Sequence, residues 1–599
     1  MSTKLRYTEY YDMQHTLDLL YDRSKCGNTK GIDLYNIITS ERNILLAYRI
    51  LKSNKGSNTC GVDGRTIQNY KIKDEKSFVM EIQDCLEKYK PQAVRRKEIP
   101  KANGKKRPLG IPTLRDRIIQ QMFKQVLEPI CEAKFYNHSY GFRPNRSAQH
   151  AIARCTFLIA RANFHYVVDI DIKSFFDEVN HSKLLKQLYE IGVKDRRVLT
   201  LINKMLKAPI QGKGIQNKGV PQGGVLSPLL ANVVLNDLDQ WIASQWEEFP
   251  TRHKYAKGHK TRALKTTNLK EMYIVRYADD FKIFTKTANM AWKIFYGVKG
   301  YVERNLSLHI SKEKSKVTNL RKRSSEFLGF EIKVIKKKNN FTVKTNVSER
   351  NKQRIRREVR EKIITIQKDA NFKNVKNYNA YILGVQNYYS CASRVNIDFA
   401  EIAYSLHFTL FNRLKPISKY ERPRSPPKIY EKFYKNNFRT FKIGQTYLFP
   451  LNDIKWRLKL GFKQQICDYT SSGREERHKQ LNSIVNQEIQ KLQMQDSPNR
   501  SVEYIDNRIS KYSMQKGICA VTGEFLLVPE IHCHHVLPKS LGGTDDFGNL
   551  IIVHQWVHTL IHATRDQTVR RYMALLKLNG KQLEKLNRYR EKCNLSKII

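Results

Sequence analysis

The sequence predicts a multidomain chain of the α/β plus α class: α/β over its first 340 residues, helical and basic beyond, with a small metal-binding unit at its end. Three observations predict this. Between 71 and 340, short apolar runs alternate with helical patterns. Between 345 and 420, Arg- and Lys-rich stretches carry helical apolar periodicity. Of 16 histidines, His532, His534, His535, His554, His558 and His562 fall together near the end. A chain of 599 residues is long enough for several separate cores.

Lys plus Arg number 108 against 56 Asp plus Glu, a formal net charge of +52. That excess points to a polyanionic partner. No apolar run reaches the ~18 residues of a membrane span, and the opening MSTKLRYTEYYDMQ lacks an apolar segment, so neither a span nor a secretory signal is expected. Nucleic acid remains, with 31 Tyr and 26 Phe interleaved among the cations for base stacking. Ten cysteines without a CxxC pair fit reduced thiols in an intracellular compartment.

Residues 1–70 read as a basic helical extension ending in the turn NKGSNTCGVDG. RRKEIPKANGKKRPLGIPTLRDRIIQ then reads as two strands joined by a basic turn, with Lys101 and Arg107 within reach of a triphosphate; a solvated hairpin is the plain alternative. FHYVVDIDIKSFFDEVNH is an apolar strand delivering Asp169 and Asp171, followed by Phe175 and Phe176. In GVPQGGVLSPLLANVVLNDLD, Gly223 and Gly224 permit close backbone approach to a ligand, and Ser227 with Pro228 has the form of a helix N-cap.

EMYIVRYADDFKIFTK sets Asp279 beside Asp280 between strand-forming runs. On a regular strand they would point to opposite faces, so they converge only if the chain turns there. A hairpin with an acidic, cation-holding tip is expected, and an ordinary solvent-facing turn is the alternative. Two Mg²⁺ ions need carboxylate oxygens on rigid backbone, which Asp171, Asp279 and Asp280 can supply. Beyond 345 the basic helices read as an RNA-facing module. KYERPRSPPKIY marks a boundary, and a basic, aromatic segment follows to about 505.

In order, GVDG, IPKANGKKRPLGIPT, YGFRPNRSAQHAI, DIKSFFD, GVPQGGVLSPLLANVVL, YADD, SKEKSKV and FLGFEI resemble the reverse transcriptases encoded by group II introns. The resemblance implies a right-hand polymerase fold with fingers and palm at 71–340. Asp171, Asp279 and Asp280 would bind two Mg²⁺. Phe176 would pack under the sugar, Gln222 would contact the incoming dNTP, and Lys101 with Arg107 would hold its triphosphate. Lys314 would serve the leaving pyrophosphate, and Asp169 would be structural. NYNAYILGVQNYY resembles the maturase or thumb region, placed at 341–425, and 426–505 corresponds in position to a DNA-binding region.

Residues 506–599 form the last segment. His558 and His562 are spaced i, i+4, so on a helix they share a face and can chelate one cation, with His534 able to complete the set. Adjacent His534 and His535 point to different sides of a strand, which suits one holding metal while the other activates water. With Asn549 in GGTDDFGNL, this resembles HNH endonucleases of the ββα-metal fold. By that resemblance His535 is the general base, His534, His558 and His562 hold one divalent cation, and Asn549 orients the base or its loop. A zinc-stabilised binding module without cleavage is the alternative. A four-cysteine structural zinc is excluded, because Thr522 and Val557 accompany Cys519 and His554 at the corresponding places.

The resemblance therefore implies an intracellular ribonucleoprotein without membrane association, whose partners are its own intron RNA, target double-stranded DNA and dNTPs. It would combine RNA-directed DNA synthesis, splicing assistance and DNA cleavage. A maturase with decayed catalytic sites and a retron-type polymerase are the alternatives. Intact YADD and HNH residues oppose the first, and the maturase-like and histidine-rich segments oppose the second.

Overall fold

The computed structural model describes residues 7–9, 11–70, 72, 74–100, 106–255, 257–338, 340–424, 426, 428–436, 438–444, 446–459, 461–478, 488, 491–492 and 502–598. The chain divides into two compact units, Met13–Gln464 on the one hand and Met1–Asp12 with Gln465–Ile599 on the other. Among the described residues no helix is long and apolar enough to cross a membrane.

In the larger unit, β1 (Arg95–Pro100) and β2 (Lys106–Ile111) form the expected antiparallel pair. The central sheet has the order β4–β5–β3–β6, built from β3 (Tyr166–Asp171), β4 (Tyr273–Tyr277), β5 (Asp280–Thr285) and β6 (Lys316–Asn319), all antiparallel. β3 and β5 are interior strands, buried from 167 to 170 and from 281 to 285, which explains their nearly continuous apolar runs. The two exceptions answer each other: Asp169 stands opposite Lys282 in register, and their charged groups pair with Ser325 Oγ beside them. A buried charge requires such a partner.

Helix α1 (Leu114–Glu132) follows β2 and the short α2 (Phe175–Glu178) follows β3 in the chain, and α3 (Ser227–Ser244) is buried along most of its length. The strands β7 (Ser325–Phe327), β8 (Phe330–Lys337) and β9 (Asn340–Val347) lead into three long helices, α4 (Glu349–Lys368), α5 (Phe372–Tyr389) and α6 (Val395–Leu414). On α4 the buried stripe is Lys352, Ile355, Val359, Ile363 and Ile366; Lys352 is paired there with Asp398 and Glu401, and most of the other cations lie to the outside, as the periodicity requires.

One core runs from Val167 and Phe284 of the central sheet through Ile355 to Phe399 and on to Tyr430 and Phe441. A small sheet of β10 (Lys419–Glu421), β11 (Thr440–Ile443) and β12 (Thr446–Tyr447) belongs to this packing. The compact units accordingly part at 464/465, whereas composition suggests breaks at 425/426 and 505/506. Proline-rich composition marks an irregular path, and the buried aromatics around it decide what packs together.

The smaller unit has its own core, including Leu550, Ile552, Val557, Leu560 and Leu586. After a helix at Val502–Met514, the antiparallel strands β13 (Ile531–His535) and β14 (Leu550–His554) lead into α7 (Gln555–His562). The chain closes with α8 (Asp566–Leu576) and α9 (Gly580–Lys592).

Candidate functional site

β4 and β5 make the expected hairpin, with Tyr277 paired to Asp280 and only Ala278 and Asp279 at the tip. Ala278 takes a left-handed φ of 57°, which a two-residue hairpin loop demands and a non-glycine residue resists. Buried neighbours hold it there. Arg276 grips Asp239 through Nε at 2.8 Å and Nη2 at 2.6 Å, both residues being fully buried. Its Nη1 donates to the Ala278 carbonyl at 2.9 Å and to Asn232 Oδ1 at 3.0 Å. At Gly141 a Cβ would meet the Ala278 nitrogen at 2.2 Å, so only glycine lets that segment lie against the tip.

Register sets Asp280 directly opposite Asp171 across β5 and β3. Both line a cleft of about 850 Å³ whose other residues include Lys314, Arg350, Arg354 and Arg357. Lys314 Nζ lies 3.2 Å from Asp171 Oδ2. Asp280 opens on the cleft, yet the protein packed around its carboxyl raises it to about 6; Lys282 opposes the rise, and repulsion from Asp169, Asp279 and Asp171 adds to it. Asp169 also lines the cleft but is spent on Lys282, whereas Asp279 is exposed at the hairpin tip and is not among the cleft's lining residues. The donor set is all oxygen, which suits Mg²⁺.

Beside the cleft, Phe176 is buried in α2 with its ring edge-on to Phe175 at 5.3 Å. The Gly-rich loop is clamped from two sides. Val220 N donates to the Phe176 carbonyl at 2.6 Å, and Gly110 N of β2 donates to the Gln222 carbonyl at 2.7 Å. Gly223, at φ 119°, lies so near the Gly110 carbonyl that a Cβ would meet it at 2.6 Å. Gln222, Gly110, Ser174 and Asp177 thus border one cavity of about 320 Å³. Ser227 departs from its expected capping role: α3 begins at Ser227 itself, and its hydroxyl donates to the Pro221 carbonyl at 2.7 Å, tying the loop to the helix. Lys101 lies outside the described residues, and Arg107 is placed only as a backbone position on β2, opposite Ile99.

In the smaller unit the ligand atoms of His534, His558 and His562 all lie within 4.8 Å of one another, the one such set among the described residues. β13 supplies the first, and the single face of the Gln555–His562 helix supplies the other two. His534 is 1% exposed, and its Nε2 is buried without a hydrogen-bond partner, an arrangement that a bound cation would satisfy. Burial lowers its pKa to about 3, with His562, His532 and His535 adding to the effect. Desolvation and Arg590 lower that of His562. Neutral imidazoles are the ligating form.

His535 points elsewhere. Its Nε2 lies 2.7 Å from Asp545 Oδ1, and its ring stacks on Tyr504 at 5.4 Å. Asn549 accepts from Leu537 N at 2.8 Å and donates to the Leu537 and Thr544 carbonyls at 3.0 and 2.9 Å, so it closes the loop after β13 and does not bond the His535 ring. Cys519 Sγ accepts from the Thr522 and His554 backbone nitrogens in an otherwise apolar core, and His554 caps the Gln555–His562 helix through Trp556 N at 3.0 Å. Arg590, 3% exposed, donates to the Leu560 and Ala563 carbonyls at 2.6 and 2.9 Å and fixes that helix's C-terminus.

Residues 99–332 match the family described as reverse transcriptase (RNA-dependent DNA polymerase). The chain is 31% identical over 483 residues to the group II intron-encoded protein LtrA of Lactococcus lactis, covering 68% of this chain and 78% of that protein. The chain belongs to the group II intron-encoded reverse transcriptase and maturase family. It is also 35% identical over 305 residues to protein YkfC of Escherichia coli, covering 48% of this chain and 79% of that one. With the putative COX1/OXI3 intron 2 protein of Saccharomyces cerevisiae it shares 29% over 368 residues, 55% of this chain and 42% of the yeast protein.

Within this group II intron-encoded protein, the residues that sequence reasoning passed over are those that position others: Arg276, Asp239, Asp545, Tyr504 and Arg590. Arg276 carried a signal, as a cation inside the apolar run YIVRY. Asp239 and Arg590 carried none, since their partners lie far away in sequence.

Proposed function

We propose that this chain copies RNA into DNA at the cleft of Asp171 and Asp280, with Asp279 at the adjoining hairpin tip, assists splicing of its own intron RNA, and cleaves target DNA with its C-terminal unit. The observation that carries the first activity is the register of Asp171 opposite Asp280, with Asp279 in a tip held by buried Arg276. This sheet acts as the palm, β1 and β2 belong to the fingers, and α4 to α6 form the thumb. Asp171, Asp279 and Asp280 would hold two Mg²⁺, which would neutralise charge at the attacking 3′-hydroxyl and the pyrophosphate. Phe176 and Gln222 position the dNTP, with Lys101 and Arg107 on its triphosphate and Lys314 toward the leaving group. The cations Arg350, Arg354 and Arg357, which face the same cleft, grip the template–primer backbone.

For the C-terminal unit, the convergent His534, His558 and His562 and the orphaned His534 Nε2 support a site for one divalent cation, with His535 as the general base. Residues 426–505 contribute to binding the target duplex. Replacing Asp279 with Asn removes cDNA synthesis while intron splicing assistance persists; full primer extension by that variant refutes the assignment. His558→Ala loses both bound metal and DNA nicking, whereas His535→Ala keeps the metal and loses about 10²- to 10⁴-fold in nicking rate. Nicking by His535→Ala at the wild-type rate leaves a binding module and no nuclease.

A further inference from the structure

Asp545 takes no part in the histidine cluster, yet its carboxylate lies 2.7 Å from His535 Nε2. The carboxylate is well buried, 12% exposed, and each of its oxygens is engaged: Oδ1 with His535 Nε2 at 2.7 Å and Oδ2 with Lys539 Nζ at 2.9 Å. Its position does not depend on its own side chain. Asn507 Nδ2 donates to the Asp545 backbone carbonyl at 2.8 Å, and Asn549 Nδ2 holds the adjacent Thr544 carbonyl at 2.9 Å.

A carboxylate accepts and does not donate, so the proton in the 2.7 Å contact belongs to Nε2 of the imidazole. In the neutral ring this leaves Nδ1 as the nitrogen with a free lone pair. The Tyr504 ring, nearly parallel at 17°, restrains the imidazole on its face while Asp545 restrains it at its edge. Tyr504 is itself anchored, its hydroxyl donating to the Cys533 carbonyl at 2.9 Å. A general base needs one tautomer and one orientation, and a carboxylate on the far nitrogen supplies both.

Resting on the nuclease reading above, we infer that Asp545 is the positioning residue of that site: it sets the tautomer and ring orientation of His535, and Tyr504 and Lys539 hold the pair in place. The dyad acts on a water attacking a DNA phosphodiester. Asp545 binds neither the cation nor the DNA.

The test uses the full-length chain, supercoiled plasmid and Mg²⁺, with nicking rate, DNA dependence, bound metal and near-ultraviolet circular dichroism read on the same preparations. Asp545→Ala is expected to lower kcat for nicking by about 10²-fold, the lower end of a general base's contribution, with KM and metal content within about twofold of wild type. Asp545→Glu, which keeps the acceptor, recovers at least about a tenth of the lost rate. In a His535→Ala background Asp545→Ala costs nothing further, because a residue that acts through another has no effect once the other is gone. Wild-type nicking by Asp545→Ala overturns the inference while leaving the nuclease reading intact. Loss of metal or of the circular dichroism signal in step with rate, without recovery by Glu, overturns it in favour of a structural role. If the wild-type chain and His535→Ala nick equally, the nuclease reading fails first and this inference with it.

Discussion

Replacing Arg276 with Met tests whether the acidic tip depends on its buried anchor. The substitution keeps the apolar stem, deletes the three hydrogen bonds to Asp239 and removes the donor to the Ala278 carbonyl. It leaves the Asp239 carboxyl fully buried without its cation. Breaking a buried pair this way costs about 3–5 kcal/mol. The unit from Met13 to Gln464 has about 450 residues, and at ~2.1 cal/mol/K per residue its unfolding entropy is about 0.95 kcal/mol/K. The expected drop in Tm is therefore about 3–5 °C. Arg276→Met with Asp239→Leu removes both charges and restores most of that loss, since well-packed apolar replacements of buried pairs are close to neutral. The double variant still lacks the bond to Ala278, so its tip relaxes and displaces Asp279 and Asp280 from Asp171. Primer extension on an RNA template should stay reduced by about tenfold or more, given how steeply rate falls when reacting groups are misplaced by an ångström. Calorimetry and single-turnover primer extension on the three proteins check both parts. An unchanged Tm in Arg276→Met, or full cDNA synthesis in the double variant, refutes the anchoring argument.

Two further outcomes are expected. Replacing Arg354 and Arg357 together with Ala should weaken template–primer binding and lower the magnitude of the slope of log K against log salt by about 1.5–2, as two phosphate contacts are lost; an unchanged slope in a filter-binding titration would remove these residues from the duplex path. Arg590→Leu should destabilise the smaller unit by about 2 kcal/mol or more through loss of charged hydrogen bonds to the Leu560 and Ala563 carbonyls, a Tm shift of about 7 °C for its size, and should weaken metal binding because His558 and His562 ride on that helix; differential scanning calorimetry with a zinc or magnesium titration measures both.

Short-range pattern determined the elements and the chemistry they carry. The acidic hairpin at Asp279 and Asp280, the strand ending at Asp171, the basic helices after 345 and the i, i+4 pair His558 and His562 were all legible, because each depends on neighbours within a few residues. Charge pointed to a polyanionic partner, since +52 is a property of composition.

The tertiary structure decided what holds those groups in place. That Asp169 is spent on Lys282, that Arg276 reaches back 37 residues to Asp239, and that Arg590 caps the helix of His558 and His562 follow from strand register and helix packing across long loops. The same applies to Asp545 beside His535 and to Ser227, whose hydroxyl turns from a cap to the Pro221 carbonyl. The physical reason is that a buried polar group must find a partner, and which partner reaches it depends on where the backbone passes in space. Local sequence encodes the need for a partner; only the assembled core chooses one.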